Sequence, residues 1–286
     1  MRDRTADIRM FEDTMQILKQ GYYMKDNRKI QLKLSAGEME EIQVYLPEDV
    51  RRICVSTEFR PADNVSGNCI RSTENIDSYA LARKRTAEGI SKLLVLNLAS
   101  PVHPGGGVRR GAKAQEEDLC RKSSLLLSLE SQTAGRYYDY NASLNSYMGS
   151  DALMLTPCTE IIKDEKGELL DNTVVVSVLT CAAPKITFGK EGMSETAYRQ
   201  LVYDRIAGML KAAAFFGYRY LILGAWGCGA YGNDAAVISD LFLRALDELD
   251  YNGYNENDLF SRIDFAVLDR TAEQYNFKQF LRNFPG

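Results

Sequence analysis

Asn97–Glu117 reads NLASPVHPGGGVRRGAKAQEE, joining an apolar strand to a run of three glycines and then to a helix start with two adjacent carboxylates. Gly105, Gly106 and Gly107 let the backbone take positive φ and let a ligand lie directly against the main chain. Glu116 and Glu117, presented just beyond such a loop, are equipment for an acid/base enzyme acting on a closely held, oxygen-rich substrate. The competing reading is a flexible turn before an acidic helix start, where carboxylates favour the positive end of the helix dipole. The rest of the chain weighs against it.

Working outward, a second glycine loop appears at Gly224–Asp234, GAWGCGAYGND. It directly follows the apolar run Tyr220–Leu223 and directly precedes an amphipathic helix. With few side chains in the way, backbone N–H groups around Gly227, Cys228, Gly229, Ala230 and Gly232 can converge on phosphate oxygens at a helix N-terminus. The loop is neither GxGxxG nor Walker A, because no Lys-Ser/Thr follows, and nucleoside triphosphate hydrolysis is disfavoured. Two glycine loops at strand carboxyl ends, where α/β proteins gather ligands, can clamp one diphosphate. Tyr231 is read as covering a sugar or base and Trp226 as buttressing the turn; alternatively both only pack the loop.

The chain between and around these loops alternates apolar strands with helical patterns, the signature of a largely parallel or mixed sheet flanked by helices. Strands are expected at Ile53–Thr57, Leu93–Leu98, Thr173–Leu179, Tyr220–Leu223 and Ile263–Leu268. Ala152–Pro157 and Thr159–Lys163, followed by the turn-like Asp164–Gly167, suggest extra strands or a hairpin. Apolar periodicity predicts helices over Asp234–Leu249, with Asn233 or Asp234 as N-cap, and over Ser194–Phe216, ended by Gly217. The helix after the triple glycine is expected to continue through Leu119, Ser123, Leu126 and Leu127. Residues 1–50 read as an accessory segment, with a helix over Asp7–Lys19 and a short strand in Ile42–Pro47. Residues 51–286 read as the catalytic domain.

Composition narrows the function. A net charge of −4 argues against a general nucleic-acid binder. Arg109, Arg110, Lys113, Arg121 and Lys122 around the carboxylates can still welcome a small anion, although a solvated mixed-charge face explains most of them individually. The single histidine, His103, removes most zinc chemistry, since catalytic zinc sites commonly use two or three. It reads as a loop or ligand-edge residue rather than a base, and neither metal nor cofactor is expected. The six cysteines are scattered without CxxC spacing, which favours reduced thiols. No apolar run approaches the roughly 18 residues of a membrane span. The N-terminus has no apolar core bounded by a cleavage site, so a cytoplasmic protein without membrane contact is expected.

With both loops in view, the chain resembles the microbial-type poly(ADP-ribose) glycohydrolases, macrodomain-fold enzymes whose signature is a GGG loop followed after a short spacer by QEE. Here Gly105–Gly107, the spacer VRRGAKA and Gln115-Glu116-Glu117 carry the match. It extends to VLNLAS, to VVVSVLTCAAP at Val174–Pro184, to GAWGCGAYGND and to FAVLD at Phe265–Asp269, covering roughly Arg52 to Phe284. The resemblance implies a three-layer α/β/α macrodomain-like fold with a mixed, largely parallel sheet and an N-terminal extension. It also implies hydrolysis of ribose–ribose O-glycosidic bonds in poly(ADP-ribose) to release ADP-ribose. Glu117 is then the catalytic acid, Glu116 holds the ribose hydroxyls, Gln115 fixes the loop and Asn97 contacts the distal ribose. The GGG loop approaches the distal ribose and diphosphate, and Gly227–Gly232 wraps the diphosphate. Tyr231 stands where the bacterial enzymes often carry Phe.

Ordinary glycosidases place two carboxylates roughly 5–9.5 Å apart across the bond. Neighbouring residues about 3.8 Å apart at Cα, diverging by about 100° on a helix, cannot straddle it in that way. A division of labour follows: Glu117 protonates the leaving ribose oxygen and then activates water, while Glu116 orients the sugar. The alternatives are a non-catalytic ADP-ribose reader and a hydrolase of another ADP-ribosyl linkage, on a protein or an NAD-derived metabolite. Partners are accordingly ADP-ribose or its polymer, with ADP-ribosylated proteins as a further class.

Overall fold

The computed structural model describes residues 4–61 and 67–286. The chain begins with helix α1 (Arg4–Gln20), the hairpin β1 (Tyr22–Lys25) and β2 (Arg28–Gln31), α2 (Ala36–Glu40), β3 (Gln43–Tyr45) and α3 (Pro47–Cys54). It continues through β4 (Ile70–Glu74), α4 (Ser78–Ala87), β5 (Leu93–Leu98), α5 (Gln115–Lys122), α6 (Leu125–Leu129) and α7 (Gln132–Ser143). Then come β6 (Leu153–Lys163), β7 (Leu169–Cys181), α8 (Glu195–Phe215), β8 (Tyr220–Leu223), α9 (Ala235–Asp247), α10 (Glu256–Leu259), β9 (Arg262–Ala266) and α11 (Tyr275–Asn283).

Seven strands form one mixed sheet in the order β3-β6-β7-β5-β8-β9-β4. The pairings β7–β5, β5–β8, β8–β9 and β9–β4 are parallel, and β3–β6 and β6–β7 are antiparallel. Alternation along the central strands feeds two cores. Leu94, Leu96, Leu221, Leu223, Ile263 and Phe265 pack with α3, α8, α9 and α11. Leu93, Val95, Val178 and Ile222 pack with α4, α5, α6 and α7. Both faces are therefore covered, which is why β5 and β8 are near-continuous apolar runs. The carboxyl ends of β5, β8, β9 and β4 lie at one edge of the sheet, and their loops meet there.

The expected helices at residues 194–216 and 234–249 are α8 and α9. Ser194 accepts from the Ala197 amide at 3.1 Å, and Asp234 from the Ala236 amide at 2.9 Å. The two apolar pieces before Asp164 are one strand, β6, with a register shift between Thr156 and Thr159, and it forms a hairpin with β7.

Two expectations are corrected. Residues 53–57 are not a strand: Ile53 and Cys54 end α3. Pro47 sits in its first turn, the Asp49 carboxylate accepts from the Leu46 amide at 3.0 Å, and Val50 and Ile53 fall on one buried face. The helix beyond the glycines is also not continuous. Ser123 is extended, bridges to Ile161, and the Ser124 amide donates to the Glu160 carbonyl at 3.1 Å. Adjacent serines that bond to a neighbouring strand divert the backbone from its helical partners.

Candidate active site

The first glycine loop and the QEE helix start form one hydrogen-bonded unit at the end of β5. Gln115 splices α5 to the strand: its Oε1 accepts from the Leu98 amide at 2.8 Å, and its Nε2 donates to the Leu96 carbonyl at 2.7 Å. That places Glu116 beside Asn97, the last fully buried residue of β5. Glu116 Oε2 accepts from the Ser100 amide at 2.8 Å, and Oε1 from Asn97 Nδ2 at 3.3 Å. Both of its oxygens are occupied. Glu117 differs: Oε1 accepts from the Gly107 amide at 2.8 Å, while Oε2 is buried with no partner among the described residues. Asn97 Oδ1 is likewise buried and unpartnered.

Gly106 explains the need for glycine. At φ +58° an added Cβ would lie 2.5 Å from Glu117 Oε1 and 3.2 Å from Glu116 Oε2. Only a residue without a side chain lets the loop press on both carboxylates. Burial pushes the Glu116 carboxyl up to about 8; the Ser100 amide and Asn97 act against the shift, and the Glu117 charge adds to it.

The second loop is built against the first. Trp226 is fully buried and donates from Nε1 to the Cys181 carbonyl at 2.9 Å, which anchors the loop to β7. Asn233 donates to the Gly227 and Pro184 carbonyls, both at 2.9 Å, and accepts from the Tyr198 hydroxyl. A Cβ on Gly227, at φ +75°, would lie 2.3 Å from Asn233 Nδ2. Tyr231 donates to the Ala99 carbonyl at 3.3 Å, so its ring joins the two loops. Burial, with Glu116 nearby, pushes its hydroxyl up to about 12.

A cleft of about 520 Å³ opens where these loops meet, within the range of small-molecule sites. Of the anticipated binding residues, Gln115, Gly227, Gly229, Ala230 and Tyr231 line it. Asn97, Gly105–Gly107, Glu116 and Glu117 form the adjoining carboxylate unit rather than its wall. Cys228 turns back toward the Trp226 carbonyl, and Gly232 packs near Thr187. His103 is an exposed loop residue whose amide donates to Ser100 Oγ.

The basic side chains are mostly structural: Arg109 pairs with Glu130, Lys113 with Asp7, and Lys122 with Asp118 and Asp77. Among the described residues, no group of three or more His, Cys, Asp or Glu could hold a metal ion.

Sequence reasoning missed the opposite wall, built from Ile76, Asp77 and Ser78 after β4 and from Val267, Leu268, Arg270 and Asn276 after β9. Asn75 ties these loops together, donating to the Asp269 carbonyl at 3.1 Å and accepting from its amide at 2.9 Å. One available signal was Asp77 as an N-cap, whose side chain accepts from the Ala80 amide at the start of α4.

The family model described as the microbial-type PARG catalytic domain matches residues 11–164, more than half of the chain. The chain belongs to the microbial-type poly(ADP-ribose) glycohydrolase family. Its fold is similar to the crystal structure of the poly(ADP-ribose) glycohydrolase of Thermomonospora curvata, with 28% identity and a TM-score of 0.88 over 98% of this chain and 100% of that one. The same enzyme bound to the inhibitor ADP-HPD matches at 29% identity and TM-score 0.85, with the same coverage. The enzyme of Deinococcus radiodurans in complex with ADP-ribose matches at 31% identity and TM-score 0.78, over 90% of this chain and 99% of that one. A comparison with curated proteins returned no match.

Proposed function

We propose that this glycohydrolase cleaves the ribose–ribose O-glycosidic bonds of poly(ADP-ribose), with Glu117 as general acid and then general base. The observation that carries the residue assignment is the unequal state of the two neighbouring carboxylates. Glu116 is held at both oxygens, which suits it to orient the distal ribose. Glu117 is fixed at one oxygen by the Gly107 amide and has the other, Oε2, without a partner. Asn97 Oδ1 supplies a second free acceptor for a ribose hydroxyl. The cleft takes the adenosine and diphosphate portion, with the amides of Gly227–Gly232 toward the phosphates. We read this cleft as a macrodomain-like ADP-ribose pocket.

In the reaction, the proton of Glu117 passes to the leaving ribose oxygen as the C1–O bond breaks and its electron pair stays on that oxygen. The resulting oxocarbenium-like ribose is captured by water, whose proton returns to Glu117. Net consumption is one water per bond. We read residues 51–286 as the catalytic domain and residues 1–50 as a segment packed on it that adds the edge strand β3 and, through Asp7, part of the cleft. Six unpaired thiols support a cytoplasmic setting.

Incubation of purified protein with poly(ADP-ribose) is expected to release ADP-ribose, while mono-ADP-ribosylated protein in parallel remains intact. Release only from the latter would replace the polymer linkage by a protein–ADP-ribose bond. No release from either would favour the non-catalytic reader.

A further inference from the structure

Beside Tyr231, and outside the cleft, three elements of the chain assemble a ridge that the site as described does not use. Phe188 and Tyr147 are 68% and 53% exposed, and their ring centroids lie 5.0 Å apart. The Lys185 ammonium sits 4.8 Å from the Phe188 centroid, 6.0 Å from that of Tyr147 and 5.9 Å from that of Tyr231. Among the described residues no carboxylate pairs with Lys185. The nearby Glu191 is engaged with the Ser146 hydroxyl and the Tyr147 amide. The Lys185 amide donates to the Tyr147 carbonyl, and the Ile186 amide to the Tyr231 carbonyl, so backbone bonds hold the ridge against the second glycine loop. Its other flank reaches the first loop: a Cβ on Gly149 would lie 4.0 Å from Pro101 Cβ.

We infer that this ridge binds the leaving ADP-ribosyl unit of the polymer, its adenine against Phe188 and Tyr147 and its diphosphate against Lys185. The inference rests on the proposed reaction. When the bond beside Glu117 is cut, one unit occupies the cleft and the next must lie outside it, near Tyr231. That next unit is attached through a ribose bearing an adenine, with two phosphates close behind. Exposed rings accept a base by stacking, and an ammonium without a carboxylate partner accepts phosphate. A neutral acceptor would need the rings but would leave the cation unused.

The test compares binding of an ADP-ribose dimer with binding of ADP-ribose, in a Glu117→Gln background that spares the dimer. Dimer binding is expected to be about tenfold tighter than monomer binding, on the scale of one stacked base. Phe188→Ala and Lys185→Glu should each remove most of that difference while leaving ADP-ribose affinity within about twofold. Retained ADP-ribose binding also shows that each variant is folded. Equal binding of dimer and monomer, or variants that leave the difference intact, would overturn the inference. Failure of the wild-type protein to hydrolyse the polymer would instead overturn the proposed reaction, and the dimer comparison would still decide the ridge.

Discussion

At the scale of single residues, the site depends on Glu116 being buried and hydrogen bonded at both oxygens, with no cationic partner among the described residues. Its carboxyl lies near 8 in the folded protein against an ordinary 4.5. Between those values the folded state holds a proton that the unfolded chain has lost. Its contribution to stability is therefore fully present below about pH 4.5 and is lost as pH rises through about 8. Glu116→Gln keeps the shape and removes the titration. The difference in melting temperature, wild type minus variant, is expected to fall from pH 5 to pH 8 and to level off above. A flat difference across that range would mean that Glu116 titrates normally. The variant should also bind ADP-ribose more weakly, since Gln turns an NH2 donor toward either the Ser100 amide or Asn97 Nδ2, which both donate to Glu116 oxygens.

At the scale of elements, β5 and β8 could be read to the residue because coverage on both faces makes them near-continuous apolar runs, each followed by a glycine loop. The QEE unit was legible for a related reason: all of its parts lie within Asn97–Glu117, so local order fixes their proximity. The strand β4 was not legible. Its sequence, IRSTE, is held by polar contacts supplied from afar: Ser72 bonds Asp264, and Arg71 pairs with Glu256 and Asp247. The wall after β4 and β9 was hidden with it, since Asn75 and Asp269 meet only through the sheet. Misreading α3 had another cause, an apolar cluster at its end outweighing Pro47 at its start.

The second glycine loop gives the prediction at this scale. Asn233 ties three partners, and Asn233→Ala strands the Pro184 carbonyl and the buried Tyr198 hydroxyl, while the Gly227 carbonyl keeps its bond from the residue 233 amide, at a cost of about 1–3 kcal/mol. KM for the polymer should rise about tenfold, with a smaller change in kcat, because the loop is placed to hold diphosphate. Unchanged KM and ADP-ribose affinity would remove that loop from the binding site.

At the scale of the whole molecule, the N-terminal segment is built into the sheet and the site. Strand β3 forms one edge of the main sheet through β6. Helix α1 reaches α5 directly: the Thr14 hydroxyl donates to the Arg121 carbonyl at 2.5 Å and accepts from Lys163 at 2.7 Å. Lys163 is buried, and its ammonium also meets Asp13 and the Met10 carbonyl. Asp7 of the same helix lines the cleft. Thr14→Val keeps the volume and removes both bonds, with an expected loss of about 1–3 kcal/mol. A chain of this size should then melt several degrees lower, read by calorimetry, because about 1 kcal/mol shifts Tm by about 2–4 °C. No shift would mean that α1 rests on the domain without supporting it.

The most direct measurement is the single-turnover rate of Glu117→Gln on poly(ADP-ribose), taken beside its affinity for ADP-ribose. A loss of roughly 10²–10⁴-fold in rate is expected, with affinity close to that of the wild-type protein. Hydrolysis at the wild-type rate would contradict the assignment of the proton to Glu117.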